Sequence, residues 1–153
     1  MINSTEIKAD FQLIANRVSK SAIEINDIED QDSKARISAK FDYNILKIEE
    51  QEGKLIGNLE FLTEIRAKVG RRILFKIAVN MEGVFIGNPN KLDKDKFIVM
   101  LELNGAATLS QFTRTYIFSI SALSGINPAV KMPMINILEM RKRKHEKLDK
   151  SNQ

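Results

Sequence analysis

The strongest constraint on this chain's fold is a change of hydrophobic period near its middle. Up to about residue 87, apolar residues tend to fall at every second position, the spacing of strands buried on one face. From Leu109 onward they recur at steps of three and four, the spacing of a stripe along a helix. Strands gathered first and helices after predict an α+β domain.

The strand half divides readily. Phe11, Leu13 and Ala15 share a face opposite Gln12 and Asn16, on a first strand reaching about Ile25. A slip in its pattern near Val18 predicts a bulge. Residues 26–33, rich in Asp and Glu, read as a loop. Ala39, Phe41, Tyr43 and Ile45 alternate with Lys40, Asp42 and Asn44. Residues 49–54 form a charged turn around Gly53. Leu55, Leu59, Phe61 and Ile65 mark a third strand over 55–68, and Val69-Gly70-Arg71 a tight turn. The fourth strand sets Ile73, Phe75, Ile77, Val79 and Met81 against Arg72, Lys76, Asn80 and Glu82. Links this short predict a four-stranded antiparallel sheet, a meander with one solvated face.

In the helical half, Asn88-Pro89-Asn90 breaks the last strand. Leu109, Phe112, Tyr116, Ile120 and Leu123 then make one stripe, widened by Ile117 and Phe118. A helix this apolar is buried on more than one side or lies in a subunit interface. Gly125-Ile126-Asn127-Pro128 ends it. A second helix is expected from near Pro133, since proline suits a first turn, to about Leu148. All 153 residues fit one domain (1–153), with 139–153 as a basic helix end or tail.

Several chemistries are excluded. The chain has no cysteine, so thiol nucleophiles, thiolate metal sites and disulfides are out. It has no stretch long enough to span a membrane and no basic-then-apolar start of a signal peptide, so a cytoplasmic protein is expected. There is no phosphate loop, dinucleotide fingerprint or HExxH. The one histidine, His145, sits among Lys and Glu and reads as a solvated tail residue. Asp27, Glu29, Asp30 and Asp32 lack the spacing, glycine and final Glu of a calcium loop. Glu60 and Glu64 read as surface charge. The expectation is no catalytic residue, no metal, no cofactor and no enzyme.

Two features remain. From Glu139 to Lys150 there are six Lys or Arg against three acids, so most of the net charge of +4 resides there. Such a run suits nucleic acid, an anionic membrane or an acidic protein. It also suits a helix C-terminus, and it lacks the interleaved aromatics of RNA binders. Nucleic-acid binding through this tail is therefore the alternative reading. The second feature is the link over 125–135, which should be polar yet carries Ile126, Val130, Met132, Met134 and Ile135. Methionine adapts to varied shapes and recurs at promiscuous binding surfaces. The link is either a binding surface or a loop tucked into a core or oligomer contact.

The order of these elements resembles the SecB family, from about Phe11 to Ile137. FQLIANRVSKSAIE (11–24) is similar to its first strand, and VNMEGVFIG (79–87) to the end of its fourth. LSQFTRTYIFSISALSGINPAVKMPMIN (109–136) carries an aromatic-x-Arg step (Phe112, Arg114), then Ser-x-x-x-Gly-x-x-Pro, then an apolar proline-containing loop ending in Asn. The resemblance implies a four-stranded antiparallel sheet backed by two main helices, assembled as a homotetramer, a dimer of dimers. It implies a holdase chaperone that takes unfolded polypeptide into an apolar groove, either for protein export or for a dedicated client such as the antitoxin of a toxin–antitoxin system. The implied groove residues are Phe61, Phe85, Ile126, Val130, Met132, Met134 and Ile135. The family's docking face for the motor SecA is acidic or apolar. Here Ser21, Lys76 and Ala78 stand on it and Glu24 retains one acid, so SecA docking is expected to be weak or absent.

Overall fold

The structure, a computed structural model, describes residues 2–6, 8–27 and 34–151. Four long strands, β1 (Phe11–Ile25), β2 (Arg36–Gln51), β3 (Lys54–Val69) and β4 (Arg72–Gly87), form one antiparallel sheet. The expected meander holds for β2, β3 and β4 only. The sheet order is β1-β4-β3-β2, so β1 lies outside β4 and the β1–β2 link carries the chain to the far edge. Alternation within strands reports burial but not neighbours, which is why strand order was misjudged. Of the acidic link, residues 28–33 lie outside the described residues, Glu29, Asp30 and Asp32 among them. Asn26 is described: its backbone N–H donates to the Leu74 carbonyl at 2.8 Å.

Tight turns set the register. Gln51 pairs with Lys54 across Glu52 and Gly53, both at positive φ, the two-residue link that matches strand twist. Bulges then alter which side chains face inward. A shift between Leu13 and Ala15 turns Ala15 away from the core face it was expected to share, and Asn16, opposite Gly83, takes its place. A one-residue slip exchanges the two faces. The expected irregularity near Val18 is present between Val18 and Lys20, and it turns Ser21 inward. A third, between Ala67 and Lys68, brings Leu74 rather than Ile73 against the core.

One helical rod covers the sheet's inner face. It comprises α1 (Lys94–Met100), a π-helical turn at Leu101–Gly105 and α2 (Ala106–Leu123), with helical dihedrals across both junctions. Asp93 caps its start, Oδ1 accepting from the Lys96 N–H at 2.8 Å. The rod begins 15 residues before the first apolar residue read as helical, Leu109. Its α2 seam is also rotated from the expected stripe. Ala106, Leu109, Ser110, Thr113, Ile117 and Ser121 are buried, whereas Phe112, Phe118 and Leu123 are 41%, 45% and 88% exposed. The buried hydroxyls bond to their own helix, Thr113 to the Leu109 carbonyl at 2.8 Å and Ser110 to that of Ala107 at 2.7 Å. Satisfied in this way, small polar residues let the helix close on the sheet, and a count of apolar residues overlooks them. α3 (Ile137–Ser151) starts four residues beyond Pro133, where Asn136 Oδ1 accepts from the Glu139 N–H at 3.0 Å. That side-chain cap defines the start better than the proline does. No helix among the described residues is long and apolar enough to cross a membrane.

Candidate functional site

The loop between α2 and α3 is pinned from α2. Ser121, buried in the seam, accepts the Val130 N–H at 2.9 Å and donates to the Phe118 carbonyl at 3.0 Å. Arg114 donates to the carbonyls of Met132 and Pro133, at 3.1 and 2.8 Å. Gly125, at φ +81°, turns the chain out of α2, and the Asn127–Pro128 bond is cis. The Arg and the Ser-x-x-x-Gly-x-x-Pro pattern singled out in the sequence thus consist of the residues that shape this loop.

So held, the loop stands over one end of the sheet and leaves an apolar groove of about 610 Å³. One wall is loop, from Gly125 to Lys131 with Pro133. The other is sheet: Ile25, Ile37, Ala39, Ile65, Leu74 and Phe75. Exposed apolar surface gathered in a groove is costly to leave in water, roughly 25 cal/mol per Å².

The residues expected to bind are divided by this geometry. Ile126 and Val130 line the groove. Met134 is 76% exposed at the loop surface, and Ile135 is half-buried. Met132 is buried beneath the loop, and Phe61 and Phe85 lie wholly within the core, where Phe85 stacks on Phe11 at 5.1 Å between ring centroids. The sheet wall, Ile25 and Ile37 above all, was missed. Its only sequence signal is a large apolar residue at each strand end bordering the acidic link. Glu24 and Lys76 are cross-strand partners on the outer face. Ser21 is not on that face. Its hydroxyl accepts from Tyr116 at 3.0 Å.

The basic C-terminal segment is a helix end, one of the two forms expected of it, but it is docked and not simply solvated. The π-helical turn aims Glu102 inward, where it is buried. Its Oε2 takes Arg141 Nε at 2.6 Å, and its Oε1 takes His145 Nε2 at 2.8 Å and the Tyr43 hydroxyl at 3.2 Å. A carboxylate only accepts, so the imidazole carries its proton on Nε2. Burial pushes the Glu102 carboxyl upward, but the hydrogen bonds and charges of Arg141 and His145 outweigh it and hold it below the usual range. Burial first, and the Glu102 charge next, push the Tyr43 phenol well above its ordinary value. Lys144 reaches round the edge of β2 to the Tyr43 carbonyl, to Asp42 Oδ1 at 2.7 Å and to Asn44 Oδ1 at 3.1 Å. Two cations of the run are therefore spent on acids of the fold.

No protein-family model matches the sequence, and no curated protein matches it. The fold is similar to that of a SecB-like chaperone from Mycobacterium tuberculosis, solved in complex with a peptide from an antitoxin. The TM-score is 0.64 at 8% identity, over 87% of this chain and 96% of that one. A Streptococcus agalactiae protein of unknown function aligns over 81% of this chain and 97% of its own, at 12% identity and a TM-score of 0.44.

Proposed function

We propose that this chain is a SecB-like holdase that binds non-native polypeptide in the groove between the interhelical loop and the sheet. The carrying observation is the groove itself, an apolar cleft walled by a loop that Arg114 and Ser121 fix open. Its place in a fold similar to that of a chaperone solved with an antitoxin peptide supports the same reading. Binding of this kind needs no catalytic group and no cofactor, and its setting is the cytoplasm.

A dedicated client suits this surface better than SecA-coupled export. On the outer face Lys76 stands directly beside Glu24, and a lysine there offsets the acid that would draw a basic partner. The exposed Phe112, Phe118 and Leu123 on α2 favour self-association, and the proposed assembly is a homotetramer. Aggregation of a chemically unfolded client, followed by light scattering, tests the reading. A stoichiometric amount of the assembled protein should suppress the signal, and Ile37→Asp, at an exposed position in the groove wall, should weaken suppression without unfolding the chain. Full aggregation in the presence of the folded protein would overturn the proposal.

A further inference from the structure

Uncommitted positive charge gathers at the groove end of the sheet. Of the α3 cations, Arg141, Arg143 and Lys144 are each paired with a carboxylate. At the groove end, Lys34, Arg36, Lys68, Arg71, Arg72 and Lys131 are all exposed. Among the described residues none of these six forms an ion pair. Lys131 lines the groove, and Lys34 and Arg36 flank Ala35, which lines it too. The other three belong to the β3–β4 turn, just beyond Phe75 of the sheet wall. Val69 and Arg72 pair across that turn, and Val69 stands two residues from buried Ala67, so Arg72 leaves the sheet on the groove side. Of the acids nearby, Glu64 is paired with Arg66 at 2.6 Å, and Glu24 faces Lys76 across the strand pair. By sequence the link between β1 and β2 holds Asp27, Glu29, Asp30 and Asp32, fewer acids than there are cations here. This crowding costs stability. Arg36 and Lys68 are direct cross-strand partners, and like charges so placed repel. The fold gains nothing from that arrangement, whereas an anion arriving at it is attracted.

We infer that the groove selects client segments in which an apolar core is bordered by acidic side chains. The inference rests on the holdase reading and names the chemistry of its client. The core of such a segment buries against the two apolar walls, while the acids on either side of it meet the cations at the mouth. Lys131 serves both parts, since a lysine stem covers apolar surface and keeps its ammonium in water. A client with basic flanks would bring like charge to an end of the sheet that already repels itself, and that repulsion excludes it. The walls also separate polypeptide from nucleic acid. Among the residues lining the groove the only aromatic is Phe75, which is buried, so bases find no ring on which to stack. Aliphatic walls beside unpaired cations suit leucine- or valine-rich peptide with aspartate or glutamate at its borders.

Fluorescence anisotropy on the full chain tests this with two labelled peptides. Both carry the same core of leucine, valine and serine; one is bordered on each side by aspartates, the other by lysines. An exposed ion pair is worth at most about fivefold in affinity. Two or three of them should make the aspartate peptide roughly tenfold tighter at low salt, with the preference shrinking as salt screens the mouth. Arg71→Gln combined with Arg72→Gln, in an exposed turn, should remove most of that preference. Lys142→Gln combined with Lys150→Gln takes the same charge from the exposed side of α3 and should leave the preference in place, which separates the groove mouth from the overall charge of +4. Lys68→Glu gives Arg36 an opposite charge across the strand pair. It should raise the urea midpoint and lower the preference together, an exchange that an idle surface would not show. Equal affinity for the two peptides, or a preference that survives the Arg71 and Arg72 changes, overturns the charge selection and leaves the holdase reading standing. Displacement of the aspartate peptide by an equimolar single-stranded oligonucleotide overturns it in favour of nucleic acid. Failure of both peptides to bind overturns the selection, and together with full aggregation of an unfolded client it overturns the holdase reading as well.

Discussion

Replacing Glu102 with alanine should loosen α3 before anything else. α3 has no fully buried side chain, and its firmest attachments run through this carboxylate, to Arg141 at 2.6 Å and His145 at 2.8 Å. Removing one partner of a wholly buried ion pair costs about 3–5 kcal/mol. Arg141 is 33% exposed and His145 48%, so water can reach both and the cost falls short of that range. The Tyr43 hydroxyl has no such recourse. Its side chain is buried, and an orphaned buried donor costs about 1–3 kcal/mol. The sum for Glu102→Ala is about 2–4 kcal/mol. Urea unfolding gives the total, and hydrogen exchange by mass spectrometry locates it, with α3 amides losing protection while β3 and β4 keep theirs. Glu102→Gln retains an acceptor but not the charge and should fall between alanine and the wild type. A loss below about 0.5 kcal/mol, the scale of an ordinary surface substitution, or an α3 that exchanges as before, would refute the latch.

The same carboxylate sets an acid limit. Its folded pKa lies below the unfolded value, so its contribution is complete above about pH 4.3 and disappears as pH falls through the folded pKa; α3 exchange should rise there before the sheet melts by circular dichroism. Tyr43 acts at the other extreme. Its folded pKa is raised, so stability should decline above about pH 10, where the unfolded phenol ionises, and Tyr43→Phe should remove that decline. The loop methionines should separate cleanly in thermal melts: Met134→Asp, at an exposed site, should leave stability nearly unchanged, whereas Met132→Asp buries an unpaired charge and should cost several kcal/mol. Gly87→Val should destabilise by about 1–3 kcal/mol through overpacking, because even a Cβ at Gly87 would lie 2.6 Å from Phe97 Cδ2; a neutral result would mean that α1 can lift from the sheet at little cost.

Much of the fold was legible because it depends on local rules. Period two marked each strand and period 3.6 marked α2, since one face of each is buried against the other layer. Strand order was not legible. The pairing of β1 with β4 joins residues 50 or more positions apart, and nothing in either strand's own pattern names its neighbour. Face assignment failed at Ala15, Ser21 and Ile73 for one reason. A bulge adds a residue to one strand, and everything beyond it changes sides; the slip near Val18 marks one such place without saying which residues turn, and the other two leave no mark in the pattern.

The site divides along the same line. Its loop wall could be read in advance, because apolar residues in a link that should be polar are a local anomaly, and the residues that pin it fall in one motif. The sheet wall was hidden: Ile37 alternates as a core residue does, and only the end of the inner layer leaves it exposed. Glu102 was hidden more deeply. On a regular helix its place beside Leu101 and Leu103 gives it no special direction. A π-helical turn holds one residue more than an α-helical turn, and that extra residue shifts the phase of the rod enough to aim a carboxylate at β2. Once Glu102 points inward, an unpaired buried charge is untenable, and the cations of α3 are the groups within reach. The basic segment that read as a solvated helix end or tail is thus the counterpart of an acid placed by a helix irregularity, and neither half of the pair is intelligible without the other.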